Sequence, residues 1–308
     1  MYPLPVSAAM FAGGLAILLY SSEKLVSLFG KAAKGAGLLA AVILVMSTLG
    51  SMPELGVSLL STLSGHGAVA LGTILGSNIF TLLVVLGAPA IIRPYRIRVI
   101  AEERDSSWMI FSSALLLLLS VDGTLSRTDG LILIAAYVPY MHLVVSSRKG
   151  ERGRVRWRIL LPAPVLVALA LLGAEGVVRG GVSIAESLGV PESVLSLIMF
   201  GIGSSLPETV FGILSARKGE TEALLGDVFG TNIYTVLVIT GVCALVSPIR
   251  VSEGVFMGRA IPAMLFASAL THVLIANDRR ISRLEGVIMI VAYALFLYLL
   301  IWPSAWTP

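Results

Sequence analysis

The chain reads as an all-α polytopic membrane protein, with ten transmembrane helices set as two inverted five-helix repeats. Three observations lead there. Of the 308 residues, 56% are hydrophobic and only 13% charged, with a mean hydropathy of +0.94, well outside the range of soluble domains. The sequence also repeats itself at half its own length. Ser51-Met52-Pro53-Glu54 returns as Ser205-Leu206-Pro207-Glu208, and Gly76-Ser77-Asn78-Ile79-Phe80-Thr81 returns as Gly230-Thr231-Asn232-Ile233-Tyr234-Thr235, each pair 154 positions apart. Finally, lysine and arginine crowd into alternate loops.

A span needs about 20 apolar residues to cross a bilayer. The first candidate, 4–29, follows a stretch without basic residues and ends without a small-residue cleavage site, so it reads as a mature helix and not a signal peptide. The others are 36–63, 67–91, 106–121, 129–146, 159–178, 191–216, 221–247, 256–276 and 284–302. Of 22 basic residues, 17 fall in loops after odd-numbered spans: Lys31 and Lys34; Arg93, Arg96, Arg98 and Arg104; six between Arg148 and Arg158; Arg217 and Lys218; and Arg279, Arg280 and Arg283. The positive-inside rule makes that side cytoplasmic and turns both termini outward. Five spans per copy force the second copy to enter from the other side, hence inversion. The expected division is a first repeat over 1–147, a cytoplasmic basic linker over 148–158 and a second repeat over 159–308. So short a basic loop is a topology determinant, and no nucleic-acid partner is expected.

The second span carries Gly50-Ser51-Met52-Pro53-Glu54. Proline has no amide hydrogen to donate and crowds the turn before it, so the helix should break or kink here and free carbonyls. Carbonyls freed in a bilayer need partners. A cation is one, and the Glu54 carboxylate and Ser51 hydroxyl add hard oxygens of the kind calcium and sodium prefer. The seventh span repeats the arrangement as Gly203-Ser204-Ser205-Leu206-Pro207-Glu208. Two half-helices meeting head to head would bring both glutamates near the midplane. The plainer alternative, a kinked helix whose hydroxyls bond backbone, leaves a costly carboxylate in each copy with no basic residue nearby in sequence.

On the third span Thr73, Ser77 and Thr81 recur at i, i+4 and i+8, answered on the eighth by Asp227, Thr231 and Thr235, so one helix face presents oxygen ligands in each half. Asn78 and Asn232 fall one position off this stripe and are expected to bond a neighbouring helix. Asp227 has no acidic mate at position 73. It is either a third site carboxylate or a charge near the cytoplasmic mouth balanced by Arg217 or Lys218. His66, His142 and His272 lack metal-ligand spacing, and the lone Cys243 in an apolar stretch reads as a small core residue.

The paired motifs resemble the α-repeats of the cation/calcium antiporter superfamily, and within it the compact prokaryotic sodium/calcium exchangers of the ten-helix type. That resemblance covers most of the chain and is strongest over 47–87 and 201–241. It implies an ion-binding core of the second, third, seventh and eighth helices, across which the first and sixth slide. The implied ligands are the carboxylates of Glu54 and Glu208, the hydroxyls of Ser51, Ser77, Ser205 and Thr231, and the backbone carbonyls of Ser47 and Gly201. Two departures stand out: Thr81 and Thr235 occupy positions where the family often has Asn or Asp, and Gly50 one where it often has a hydroxyl.

The function expected is calcium export against sodium through a shared midplane site in an inner membrane, with calcium and sodium as transported ions, no resident cofactor, and one chain sufficient for activity. Two negative charges balance one calcium, two sodium ions or two protons equally, so a proton/calcium exchanger on the same residues is the alternative. An intramembrane enzyme using Ser51 or Ser205 as nucleophile lacks a histidine or lysine base in either copy.

Overall fold

The computed structural model describes residues 2–33, 51–96, 100–146, 160–218, 221–251, 253–278 and 280–301. The first half of the expected second span, with Ser47 and Gly50, and nearly all of the basic linker lie outside the described residues. Helix α1 (Leu4–Ala33) is followed by α2 (Met52–Leu63) and by α3 (Gly67–Phe80), which runs through a π turn at Thr81–Val85 into α4 (Gly87–Ile92). Strand β1 (Tyr95–Arg96) precedes α5 (Ile100–Leu119), and β2 (Thr124–Leu125) precedes α6 (Arg127–Ser146).

In the second half α7 (Ala163–Leu188) stops at Gly189, whose φ of 63° is the left-handed cap glycine tolerates. The short α8 (Glu192–Leu195), a π turn (Ser196–Phe200) and α9 (Gly201–Ser204) then meet α10 (Leu206–Lys218) at Ser205. The two sides of that break are bent by 51°. Helix α11 (Thr221–Tyr234) passes through a π turn (Thr235–Ile239) into α12 (Thr240–Val246), followed by β3 (Ile249–Arg250), a π segment (Glu253–Ala260), α13 (Ile261–Asp278), β4 (Arg280–Ile281) and α14 (Arg283–Ile301).

Among the described residues six helices are long and apolar enough to cross a membrane, and the bent pair at Ser205 makes a seventh if counted as one span. That is fewer than the ten expected from hydropathy. The second span is cut by the undescribed segment; α5 opens on Glu102-Glu103-Arg104-Asp105, and α6 carries Arg127, Asp129 and an internal Pro139. Burial sorts the spanning helices. The stretches Gly67–Ile92 and Leu224–Val246 are 94% and 83% buried, against 28–39% for the other four, so α3–α4 and α11–α12 form the centre. The apolar core follows them, with Leu71, Ile74, Leu75, Phe229, Ile233 and Leu237 all inaccessible.

In hydrocarbon, helices gain little from burying apolar surface against one another, so close packing needs small residues at the contact. Helices α1 and α7 meet this way: a Cβ on Gly14 would lie 2.7 Å from both the Gly173 carbonyl oxygen and the Val177 amide nitrogen, and one on Gly180 would lie 2.6 Å from the Phe11 amide nitrogen. The Phe200 ring lies over Gly181 and stacks on Phe11, with centroids 5.3 Å apart. The closest approach to backbone is central. A Cβ on Gly201 would lie 2.5 Å from the Gly76 carbonyl carbon, and one on Gly76 would collide with the Leu197 carbonyl.

Two antiparallel ribbons join the halves. Tyr95 pairs with Ile281 and Arg96 with Arg280, while Thr124 pairs with Arg250 and Leu125 with Ile249. Tyr95 and Ile249 are 154 positions apart, so the two ribbons correspond under the same repeat that relates the motifs. Pairs this short carry no alternation to read in sequence.

Gly76→Ala should lower stability by about 1–3 kcal/mol because no flexible side chain is there to yield. Gly13→Ala, where nothing lies within 4 Å, should leave the melting temperature unchanged or raised. Thermal melts of the two variants in detergent, followed by size-exclusion chromatography, check this; equal stability of the two would show that the central contact is slack.

Candidate ion-binding site

Met52-Pro53-Glu54 opens α2 and Leu206-Pro207-Glu208 opens α10. Proline is tolerated in a first turn because its missing amide hydrogen is one that no intrahelical carbonyl would have taken. Ser51 (φ −89°, ψ 18°) and Ser205 (φ −95°, ψ 9°) stand just outside the two helices in matching non-helical conformations. Each glutamate therefore lies in the first turn of a helix, where the macrodipole favours negative charge.

The structure draws the two motifs together. Ser77, on α3, donates its hydroxyl to Glu54 Oε1 at 3.2 Å and lies 2.9 Å from the Ser205 hydroxyl across the two halves. Ser204 stands close to the Glu54 side chain, and Glu208 is within electrostatic reach of it. Ser51, Glu54, Ser77, Ser204 and Ser205 are all buried. Glu54 Oε2 and Glu208 Oε2 are buried without any hydrogen-bond partner, and no ion pair to either glutamate exists among the described residues. Buried unpartnered carboxylate oxygens are expensive. On Glu54 the other oxygen takes the Ser77 hydroxyl, whose lone pairs serve a cation as well as a proton donor.

The remaining expected ligands fall into three groups. Thr231 is buried on α11 at the position equivalent to Ser77. Gly201 presses its Cα on Gly76, and its carbonyl faces the Ser204 hydroxyl at 3.5 Å. Thr81 and Thr235 are turned elsewhere. The Thr81 hydroxyl lies 3.0 Å from Asn232 Oδ1 and the Thr235 hydroxyl 2.9 Å from Asn78 Oδ1. Each threonine also reaches the carbonyl three residues back, Asn78 O at 3.1 Å and Asn232 O at 3.0 Å. The asparagines thus bridge the two central helices, as their offset from the stripe implies, and the threonines do so with them. Asp227 is half-buried on α11 and forms no hydrogen bond or ion pair among the described residues. Two of the histidines serve structure: His66 Nδ1 lies 2.9 Å from Glu192 Oε2, and His272 Nδ1 lies 2.9 Å from the Ser106 hydroxyl. Cys243 is buried in the core.

Both central π turns begin at these threonines. Leu86 N–H donates to Thr81 O and Thr240 N–H to Thr235 O, five residues apart in each case. A widened turn upsets the normal pairing of nearby carbonyls, and the threonine hydroxyl offers Asn78 O or Asn232 O a donor. Nothing in apolar periodicity distinguishes a five-residue turn from a four-residue one, so this element escapes a sequence reading.

Thr81→Val should strand a buried Asn232 Oδ1 and cost about 1–3 kcal/mol. Thr235→Val should do the same at Asn78, and the Ser variants should retain most of the stability. A double-mutant cycle on melting temperature checks the pair. Strict additivity would show that the two crossings act independently.

The family described as sodium/calcium exchanger protein matches the chain over residues 6–146 and 163–302. The inner membrane protein YrbG of Escherichia coli (strain K12) is 28% identical, over 97% of this chain and 98% of its own. The sodium/calcium exchanger MaX1 of Methanosarcina acetivorans is 24% identical, over 93% and 96%. Among solved structures, the sodium-calcium exchanger NCX_Mj superposes with a TM-score of 0.66 at 22% identity, covering 96% of this chain and 99% of that one. The H+/Ca2+ exchanger CAX superposes with a TM-score of 0.81 at 15% identity, covering 98% and 83%. With both motifs, the membrane helices and nearly the whole length accounted for, the chain belongs to the sodium/calcium exchanger family.

Proposed function

We propose that this chain is a secondary active antiporter that exchanges calcium for sodium by alternating access at a site near the bilayer midplane. The observation that carries the reading is that Glu54 and Glu208 each hold a buried orphan carboxylate oxygen without a basic partner among the described residues, with the Ser77 and Ser205 hydroxyls gathered at Glu54. Calcium takes six to eight oxygens. Glu54 and Glu208 supply charge; Ser51, Ser77, Ser204, Ser205 and Thr231 supply hydroxyls; and the carbonyls of Ser47 and Gly201 complete the set.

Ten transmembrane helices in two inverted repeats, 1–147 and 159–308 joined by a basic cytoplasmic linker, remain the architecture we infer. Supporting it are the two segments matched by the one family, the corresponding ribbons and the reciprocal Thr–Asn crossings. The protein is multi-pass in the membrane, with both termini outward, and acts as a single chain. It moves ions and cleaves no bond, a reading supported by the partner of Ser205, which is a serine hydroxyl and not a base.

One site shared by both ions enforces exchange. Emptied, it leaves two buried negative charges, and an empty carrier then crosses between inward- and outward-facing states poorly. Coupling to protons on the same residues is the second reading, favoured by the higher TM-score to the H+/Ca2+ exchanger, 0.81.

Radioactive calcium uptake into proteoliposomes, driven by an outward sodium gradient or an outward proton gradient at matched voltage, separates the two. We expect sodium to drive uptake; uptake driven by protons alone would move the chain to the second reading with its glutamates unchanged. Glu54→Gln and Glu208→Gln should each abolish calcium exchange in folded protein, and full exchange by either variant would overturn the site.

A further inference from the structure

The two halves differ where a cation approaches the glutamates. Position 73, the counterpart of Asp227, is threonine. Thr73 is fully buried, its hydroxyl donating to the Val69 carbonyl of its own helix at 2.7 Å. Asp227 is half-buried and follows Gly226, where a side chain would meet nothing within 4 Å. Helix α10 ends at Lys218 and α11 starts at Thr221. At 1.5 Å per residue, Asp227 lies about 9 Å along α11 from its first residue, and Glu208 about 15 Å back along α10 from its last. The aspartate is thus the shallower of the two.

Asp227 acts electrostatically on both Glu54 and Glu208, whose Oε2 atoms are buried and unpartnered, Glu54 being only 1% exposed. Among the described residues no three His, Cys, Asp or Glu side chains stand close enough to hold one metal ion together. Asp227 thus stands near both glutamates without forming a three-carboxylate cluster with them among the described residues. No ion pair to Asp227 is present among the described residues; Arg217 is exposed, and its carbonyl accepts from the Arg93 guanidinium. A half-buried carboxylate set shallower than the glutamate pair concentrates cations on its side of that pair, most strongly divalent ones.

We propose that Asp227 is a docking carboxylate for the divalent cation at the membrane face that carries Arg217, with no equivalent at the other face, so that the two faces capture calcium with different apparent affinity. This rests on the reading of Glu54 and Glu208 as the exchange site. Asp227 supplies fixed charge ahead of that site and leaves the exchange step itself to the glutamates.

The test is calcium-for-calcium exchange in proteoliposomes of uniform orientation, with KM measured separately at each face. Asp227→Asn should raise KM about tenfold at the Arg217 face, leave the opposite face within about twofold, and preserve the maximal rate; Asp227→Glu should restore KM. Gly226→Lys sets a positive charge in the open space beside the aspartate and should raise the same constant without altering the carboxylate. Equal changes at both faces, or an unchanged KM at the Arg217 face in either variant, would overturn the proposal. Full exchange by Glu54→Gln would instead overturn the underlying site, so the two failures are distinct.

Discussion

Two glycines without side chains hold the centre together. Gly76 and Gly201 let the backbones of α3 and α9 touch, and only at that separation can Ser77 and Ser205, each close in sequence to one of them, come within 2.9 Å. One added methyl group on either would push the helices apart and open the hydroxyl bridge between the halves. The polar site thus depends on a steric fact and not on polar attraction, as expected where lipid offers helices little reason to associate beyond shape. The orphan oxygens of Glu54 and Glu208 are held in the same terms, by a tight backbone frame that would keep them in place for the cation proposed to bind there.

Much of this was legible in the sequence, for reasons tied to particular residues. Ser-x-Pro-Glu written twice marks helix starts by the chemistry of proline, and both glutamates lie in first turns as that chemistry requires. The stripe Thr73, Ser77, Thr81 placed oxygens on one face, and Ser77 does meet Glu54. The same periodicity could not say that Thr81 and Thr235 would turn to asparagines on the opposite helix, because that bond depends on how two helices are set against each other. Helical spacing fixes which residues share a face and leaves open what the face meets. The π turns and two-residue ribbons escaped for a related reason, since neither leaves a period long enough to detect. The span read at 106–121 lies within a longer helix that begins among charged residues, Glu102 to Asp105, which hydropathy does not register as helix.

The departure at Thr81 and Thr235 now has a physical sense. With hydroxyls at both positions bonded to Asn232 and Asn78, these two positions add no charge to the centre, and its two-fold character is kept by neutral bonds. Asp227 breaks that balance on one side alone. Symmetry of framework and asymmetry of charge are separable here because the first resides in backbone contacts and crossings, and the second in one side chain nearer a membrane face.

The ribbons bear on how such a framework moves. Each ties a loop of one half to a loop of the other, Tyr95–Arg96 to Arg280–Ile281 and Thr124–Leu125 to Ile249–Arg250, and so fastens the segments flanking the central helices. Helices α1 and α7 take no part in either ribbon, yet their own backbones interlock at Gly14, Gly173 and Gly180. A displacement that spared both sets of contacts would have few forms left: the ribboned body would stay as a stator, and α1 and α7 would travel over it as one piece.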